Sequence, residues 1–211
     1  EGRPKYRLLS EKLIKELWPP LSWQPAQIWY SGSFIEGPYV TVVGPRRPSS
    51  YATNLTAQLV SQISCQRTVV SGLAFGTDII ALRAAVNAGG RVVVVLPFGV
   101  ANVYPRAHLN QLQEWVKNGQ AMVVSEYFSI KHPSKMYLLW RNRLMAAMAN
   151  WVFIPEAAVK SGTRRTAEYA IEANVPLAVL SADITRPEAA YSNLLLRDGA
   201  QVITSAEDWF S

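Results

Sequence analysis

Short runs of aliphatic and β-branched residues punctuate this chain, and helical spacing fills the gaps between them. The runs are Val40 to Val43, Thr68 to Val70, Val92 to Leu96, Met122 to Ser125, Trp151 to Ile154 and Leu177 to Leu180, with a shorter one at Gln201 to Ile203. They are almost continuously apolar rather than alternating, which marks strands buried on both faces of a parallel sheet. Between them, Ala52, Leu55, Leu59 and Ile63 recur at helical spacing behind Pro48-Ser49-Ser50. Ile79, Leu82 and Val86 do the same behind Thr77-Asp78, and Gly89-Gly90 stops that helix. Leu109, Leu112 and Val116 form a third face, closed by Gly119. Ala167, Ala170, Ile171 and Asn174 form a fourth, ended before Pro176. Ser205 to Asp208 reads as a capped final turn. The alternation predicts an α/β protein with an open, doubly wound, mostly parallel sheet and helices on both faces.

Residues 1–38 break this rhythm. Leu8 to Leu17 predicts a helix, Trp18-Pro19-Pro20 ends it, and Ile28 to Gly32 predicts an extra strand. The expected organisation is an N-terminal segment over residues 1–38 packing on a core over 39–211. Trp18, Trp23 and Trp29 crowd that segment and are expected to cover the sheet, with ligand stacking as an alternative use for one of them.

A chain of 211 residues with 49% hydrophobic positions can bury one sizeable core. No apolar run reaches the roughly 20 residues needed to span a bilayer, so no membrane partner is expected. The charged, mixed N-terminus does not read as a signal peptide, and the missing initiator Met implies a processed or trimmed chain. One cysteine, Cys65, excludes an internal disulfide; a place at a helix end as a small apolar side chain and a reducing cytoplasm are the expectations. Two histidines and one cysteine leave no zinc spacing, and neither metal nor cofactor is expected.

The net charge of +6 permits a polyanionic partner without demanding one, so placement decides. Ligands of open α/β sheets bind beyond the carboxyl ends of the strands. The loops and helix starts there carry Arg46 and Arg47, Arg106, Lys131 and Lys135, Arg141 and Arg143, and Lys160, Arg164 and Arg165. Only Asp78, Glu126 and Glu156 oppose them. Gly44, Gly72, Gly76, Gly99 and Gly162 fall on the same edge, where glycine permits close backbone approach and amides aimed at an anion. Each glycine taken alone could equally serve a tight turn. Ser71-Gly72 and Ser161-Gly162-Thr163 read as phosphate cradles, in competition with ordinary helix capping. Phe75 or Tyr127 could stack a base, in competition with a core position. Arg141 and Arg143, two apart, face different ways if helical, so one of them is expected to be structural.

No nucleophile with an adjacent base, no phosphate-binding Walker loop and no paired-carboxylate motif is present. His108 and His132 have no carboxylate nearby in sequence. Binding rather than catalysis is the expectation.

Several of these motifs resemble one family. Val43-Gly44-Pro45-Arg46, Tyr51, Ser71-Gly72-Leu73-Ala74-Phe75-Gly76-Thr77-Asp78, Tyr104-Pro105, Ser125-Glu126-Tyr127, Arg141-Asn142-Arg143, Glu156-Ala157 with Ser161-Gly162-Thr163, and Arg197-Asp198-Gly199-Ala200 resemble, in order and spacing, the DNA-processing protein A family (DprA, also called Smf). The resemblance runs from about Trp18 to the C-terminus. It implies an extended Rossmann-like fold and single-stranded DNA binding, with loading of the RecA recombinase during natural transformation. It also implies a homodimer with no enzymatic activity. The arginine of the family's Gly-Ser-Arg motif, which lies in its DNA pocket, corresponds to Arg46.

The chain departs from that pattern at several points. Serine of Gly-Ser-Arg is Pro45, which removes a backbone donor. Leu82 stands where the family has histidine, Leu180-Ser181 where it has Pro-Gly, and the Tyr191-Ser192-Asn193 segment lacks a usual glycine. The flanking helical and winged-helix domains of many members are absent, which implies a minimal form or an excised core. Two rival readings stay open. One is a small-nucleotide sensor. The other is a nucleoside-monophosphate phosphoribohydrolase, whose Pro-Gly-Gly-x-Gly-Thr-x-x-Glu pattern is matched only loosely by Pro155-Glu156-Ala157, Gly162-Thr163 and Glu168.

Overall fold

The computed structural model describes residues 5–19, 22–103, 105–129 and 134–209. Among the described residues nine strands form one sheet. They are β1 (Arg7–Leu8), β2 (Trp29–Ser31), β3 (Tyr39–Val42), β4 (Thr68–Ser71), β5 (Val92–Val95), β6 (Ala121–Ser125), β7 (Trp151–Ile154), β8 (Leu177–Val179) and β9 (Gln201–Val202). Their spatial order is β1-β2-β6-β5-β4-β3-β7-β8-β9. Pairing is parallel from β6 through β9 and antiparallel for β1–β2 and β2–β6. The fold is α/β and Rossmann-like, as expected.

Seven helices cover the sheet: α1 (Glu11–Leu17), α2 (Ser50–Ile63), α3 (Thr77–Asn87), α4 (Leu109–Lys117), α5 (Lys135–Ala147), α6 (Thr163–Glu172) and α7 (Ala190–Arg197). Strand side chains alternate between two cores, as the period-2 pleat requires. Val40, Val42, Val69, Val92, Val94 and Phe153 point to the side covered by α2, α3 and α4. Val70, Val93, Val95, Val152, Ile154 and Val179 point to the side covered by α1, α5, α6 and α7. Both faces are buried, which is why the strands read as unbroken apolar runs.

The N-terminal segment departs from the expected helix over 8–17. Arg7 and Leu8 instead pair with Tyr30 and Trp29. The helix begins at Glu11, where the Ser10 hydroxyl accepts from the Leu13 amide at 3.3 Å. Trp18 is fully buried and its indole donates to Leu144 O at 2.9 Å, so this segment shares the core of the sheet domain. In α6 the inward face is Thr163, Thr166, Ala167 and Ala170, and Ile171 is exposed. Cys65 lies just past α2 and is exposed, not packed.

The chain reverses its direction of travel across the sheet between β3 and β7. One connection leaves β3 through α2 towards β4, and another enters β7 from α5. This topological switch point opens a crevice at the carboxyl ends of the two strands. Val43-Gly44-Pro45-Arg46 leaves one side of it and Pro155-Glu156 the other.

Candidate functional site

The crevice is built by three glycines that let neighbouring groups approach the backbone closely. A Cβ at Gly44 would lie 2.5 Å from Thr77 Oγ1. Gly76, at φ +79°, runs against the carbonyls of Pro45 and Arg46. A Cβ at Gly72 would collide with the guanidinium of Arg141. The first turn is locked by Pro45 O, which accepts from the Thr77 amide at 3.1 Å and its hydroxyl at 3.2 Å. These glycines therefore serve close packing. The Gly72 amide is already given to Asp78 Oδ2 at 3.2 Å.

Asp78 is buried at the start of α3 and also accepts from the Ala74 amide at 3.2 Å. It thus holds the whole 72–78 loop in shape. Burial raises its pKa, while Arg141 and the two amides pull the other way. Arg141, from α5, lies beneath that loop and donates to Gly72 O at 3.0 Å and to Val95 O. Burial lowers its pKa to about 10, with Asp78 opposing and Arg46 reinforcing the shift. It remains a fixed cation at neutral pH.

Above Arg141 opens a cleft of about 70 Å³ lined by Arg46, Gly72, Phe75, Phe98, Leu138 and Arg141, among others. Among the described residues no carboxylate lines it. Arg46 and Arg47 are exposed, as is Phe75 at 50%. Phe75 therefore takes the surface position of its two expected alternatives. It leans on His108, with ring centroids 4.9 Å apart. His108 is buried, and both of its ring nitrogens lack a protein partner among the described residues. Tyr127 is half-buried against Tyr137.

Across the switch point, α6 starts with Ser161-Gly162-Thr163. Asn142 Nδ2 reaches Gly162 O at 3.5 Å, tying α5 to this turn. The Ser161 hydroxyl is buried without a partner among the described residues. Thr163 is buried, and Lys160 is exposed. Arg164 and Arg165 both bind Glu168, at 3.0 and 2.8 Å, which offsets much of their charge.

Two expected ligand contacts are corrected. Ser71 is fully buried and donates to Val42 O at 2.7 Å, so its hydroxyl faces the core. Arg143 is drawn inward, where Glu126 takes its guanidinium in two bonds of 2.8 and 2.5 Å. Trp23 and Trp140 sandwich it, with ring centroids 4.4 and 4.2 Å from the guanidinium carbon. Its role is to anchor the N-terminal segment to α5. Trp23 is thereby occupied with Arg143. Lys131, His132 and Tyr104 lie outside the described residues.

Sequence reasoning missed the tie made by Glu156. This buried carboxylate accepts from the Ser49 amide at 2.8 Å and from Arg186 at 3.1 Å. It joins the start of α2 to the loop after β8. No sequence spacing relates Ser49, Glu156 and Arg186.

The family profile of DNA recombination-mediator protein A matches residues 9–211. The chain belongs to that family. The DNA processing protein DprA of Streptococcus pneumoniae is 30% identical over 186 residues, which are 87% of this chain and 65% of that protein. The chain thus spans just under two thirds of this relative. A solved structure of DNA processing protein A from Helicobacter pylori, described for its single-stranded DNA binding mode, superposes with a TM-score of 0.85 at 29% identity. It covers 97% of this chain and 94% of that one. The S. pneumoniae DprA crystal structure gives a TM-score of 0.86 at 27% identity, covering 97% of this chain and 73% of that one. Among the described residues of this family member, no helix is long and apolar enough to cross a membrane.

Proposed function

We propose that this chain binds single-stranded DNA across the crevice above Arg141. The observation that carries the reading is one juxtaposition: the exposed Arg46 and the exposed ring of Phe75 flank a cleft that has a buried cation below and, among the described residues, no lining carboxylate. Such a site takes a phosphate and a base face together, which an unpaired strand offers and a duplex does not. Arg47, Lys160 and the Ser161–Thr163 turn continue the surface around the switch point. The single-stranded DNA binding described for the H. pylori relative supports the same ligand.

The cleft volume weighs against an enclosed mononucleotide, because about 70 Å³ is far below the roughly 300 Å³ at which small-molecule pockets begin. A polymer lying across the opening needs no such enclosure. Hydrolysis of a nucleoside monophosphate finds no free acid in Glu168, the glutamate set against that motif, since Arg164 and Arg165 each take one of its oxygens.

The finer reading follows the family resemblance. The chain acts as a homodimer in the cytoplasm and passes its strand to RecA during recombination and DNA uptake. Analytical ultracentrifugation tests the first point, and co-sedimentation with RecA on a preformed complex tests the last.

The deciding experiment is fluorescence anisotropy with single- and double-stranded oligonucleotides across a salt series, repeated with Arg46→Ala. The expected result is single-strand preference, steep salt dependence and a weakened variant. Absent binding at low salt, or an unaffected variant, overturns the reading.

A further inference from the structure

A second, larger concavity of about 840 Å³ lies on the α4 side of the sheet, lined by residues of α4, β2 and β6. Its apolar surface comes from the half-buried Tyr6, Val103, Leu109 and Val116, which lie over the buried Phe98, Val100, Leu112 and Val123. Its rim carries Lys5, Arg106 and Lys117, and no carboxylate lines it among the described residues. Arg106 and Lys117 are exposed and make no ion pair among the described residues. That contrasts with Arg164 and Arg165, which share Glu168.

The trough adjoins the cleft over Arg141. Phe98 lines both, and the adjacent residues Pro105 and Arg106 line one each. We propose that a bound single strand leaves the cleft past Phe98 and enters this trough. There its unpaired bases rest on the half-buried Tyr6, Val103 and Val116, and its phosphates meet Arg106 and Lys117. The trough is then a second base-binding subsite. The inference rests on the strand-binding reading of the cleft and extends it by naming the path.

Three physical points carry it. The chemistry is matched, since an unpaired nucleotide has an apolar face and an anionic edge. The size is adequate, because the volume lies near the upper end of ordinary ligand pockets, about 300–1,000 Å³. A duplex cannot use this apolar surface, because its bases face each other, so the trough discriminates by strandedness.

The test uses the full chain with labelled oligothymidines of about 6 and about 20 nucleotides, spanning the range of single-strand site sizes. A duplex of the longer length serves as a control. The double variant Arg106→Glu/Lys117→Glu changes two exposed rim positions, and its thermal melting is checked first. The expected result is about tenfold weaker binding of the longer strand. Its salt slope should also fall by about 1.4, two phosphates at about 0.7 each, with the short strand unchanged. Photo-crosslinking with 5-iodouracil should map to peptides containing Phe98 or α4.

The outcomes separate the two claims. If Arg46→Ala affects neither oligonucleotide, the cleft reading fails and the trough with it. If Arg46→Ala weakens both but the double variant leaves the longer strand unaffected, the trough alone is overturned. If duplex and single strand weaken equally, the rim acts only as a diffuse charge and the base subsite is overturned.

Discussion

The guanidinium of Arg141 fills the space that a side chain at Gly72 would need. Loop and cation are therefore mutually exclusive with any larger residue at that position. Gly72→Ala must push Arg141 off Gly72 O and Val95 O or distort the loop held by Asp78. Overpacking of this kind costs about 1–3 kcal/mol. At about 2–4 °C per kcal/mol for a chain of this size, melting should fall by about 2–12 °C. Single-strand affinity should fall as well, measured by anisotropy well below the melting transition.

Arg46 and Arg164 should behave differently although both are exposed arginines on the predicted basic edge. Arg46 has no ion-pair partner among the described residues, and Arg164 is bound to Glu168. Arg46→Ala should lower the salt slope of single-strand binding by about 0.7, the loss of one phosphate contact. Arg164→Ala should change it by less, because Arg164 is already tied to Glu168, which it shares with Arg165. A larger effect from Arg164 would show that the strand runs over α6 instead.

Arg143→Ala should be a stability variant. It leaves Glu126 largely buried and unpaired and empties the space between Trp23 and Trp140. Removing one partner of a buried pair costs about 3–5 kcal/mol. Pairing Arg143→Met with Glu126→Gln removes both charges while keeping an apolar body between the rings, and should recover much of the loss. Urea denaturation measures both. The salt slope of binding should stay unchanged in the recovered variant.

His108 makes stability sensitive to acid. Burial, helped by Arg83, lowers its pKa from 6.5. As pH falls, the unfolded chain therefore takes up this proton first. Its contribution is complete above about pH 6.5 and is lost as pH falls through the folded value. His108→Leu should show a flatter urea midpoint between about pH 6.5 and pH 5 than the parent chain. Equal slopes would place the acid sensitivity elsewhere.

The parallel strands were legible because burial on both faces leaves an unmistakable apolar signature, and α2, α3 and α4 because their apolar residues recur at helical spacing. Helix α5 was not, since its inward residues include Arg141 and Arg143, buried by pairing rather than by apolarity. A periodicity reading scores those positions as surface. The same blindness affected the site. Counting cations along one edge located the region, but a count cannot see that Arg143 turns in to Glu126 or that Glu168 holds two arginines. Likewise Gly72 was read as a donor, when its amide belongs to Asp78 and its missing side chain makes room for Arg141. The short strand β1 escaped because two residues carry no period at all.

The carboxylate of Glu156 clasps Ser49 from the first half of the fold and Arg186 from the second. A crevice latched in this way has its width set before any strand arrives. Capture then requires no closing motion, so encounter should proceed at the pace of charge-steered diffusion. Differences among related oligonucleotides should appear as differences in how long each one stays.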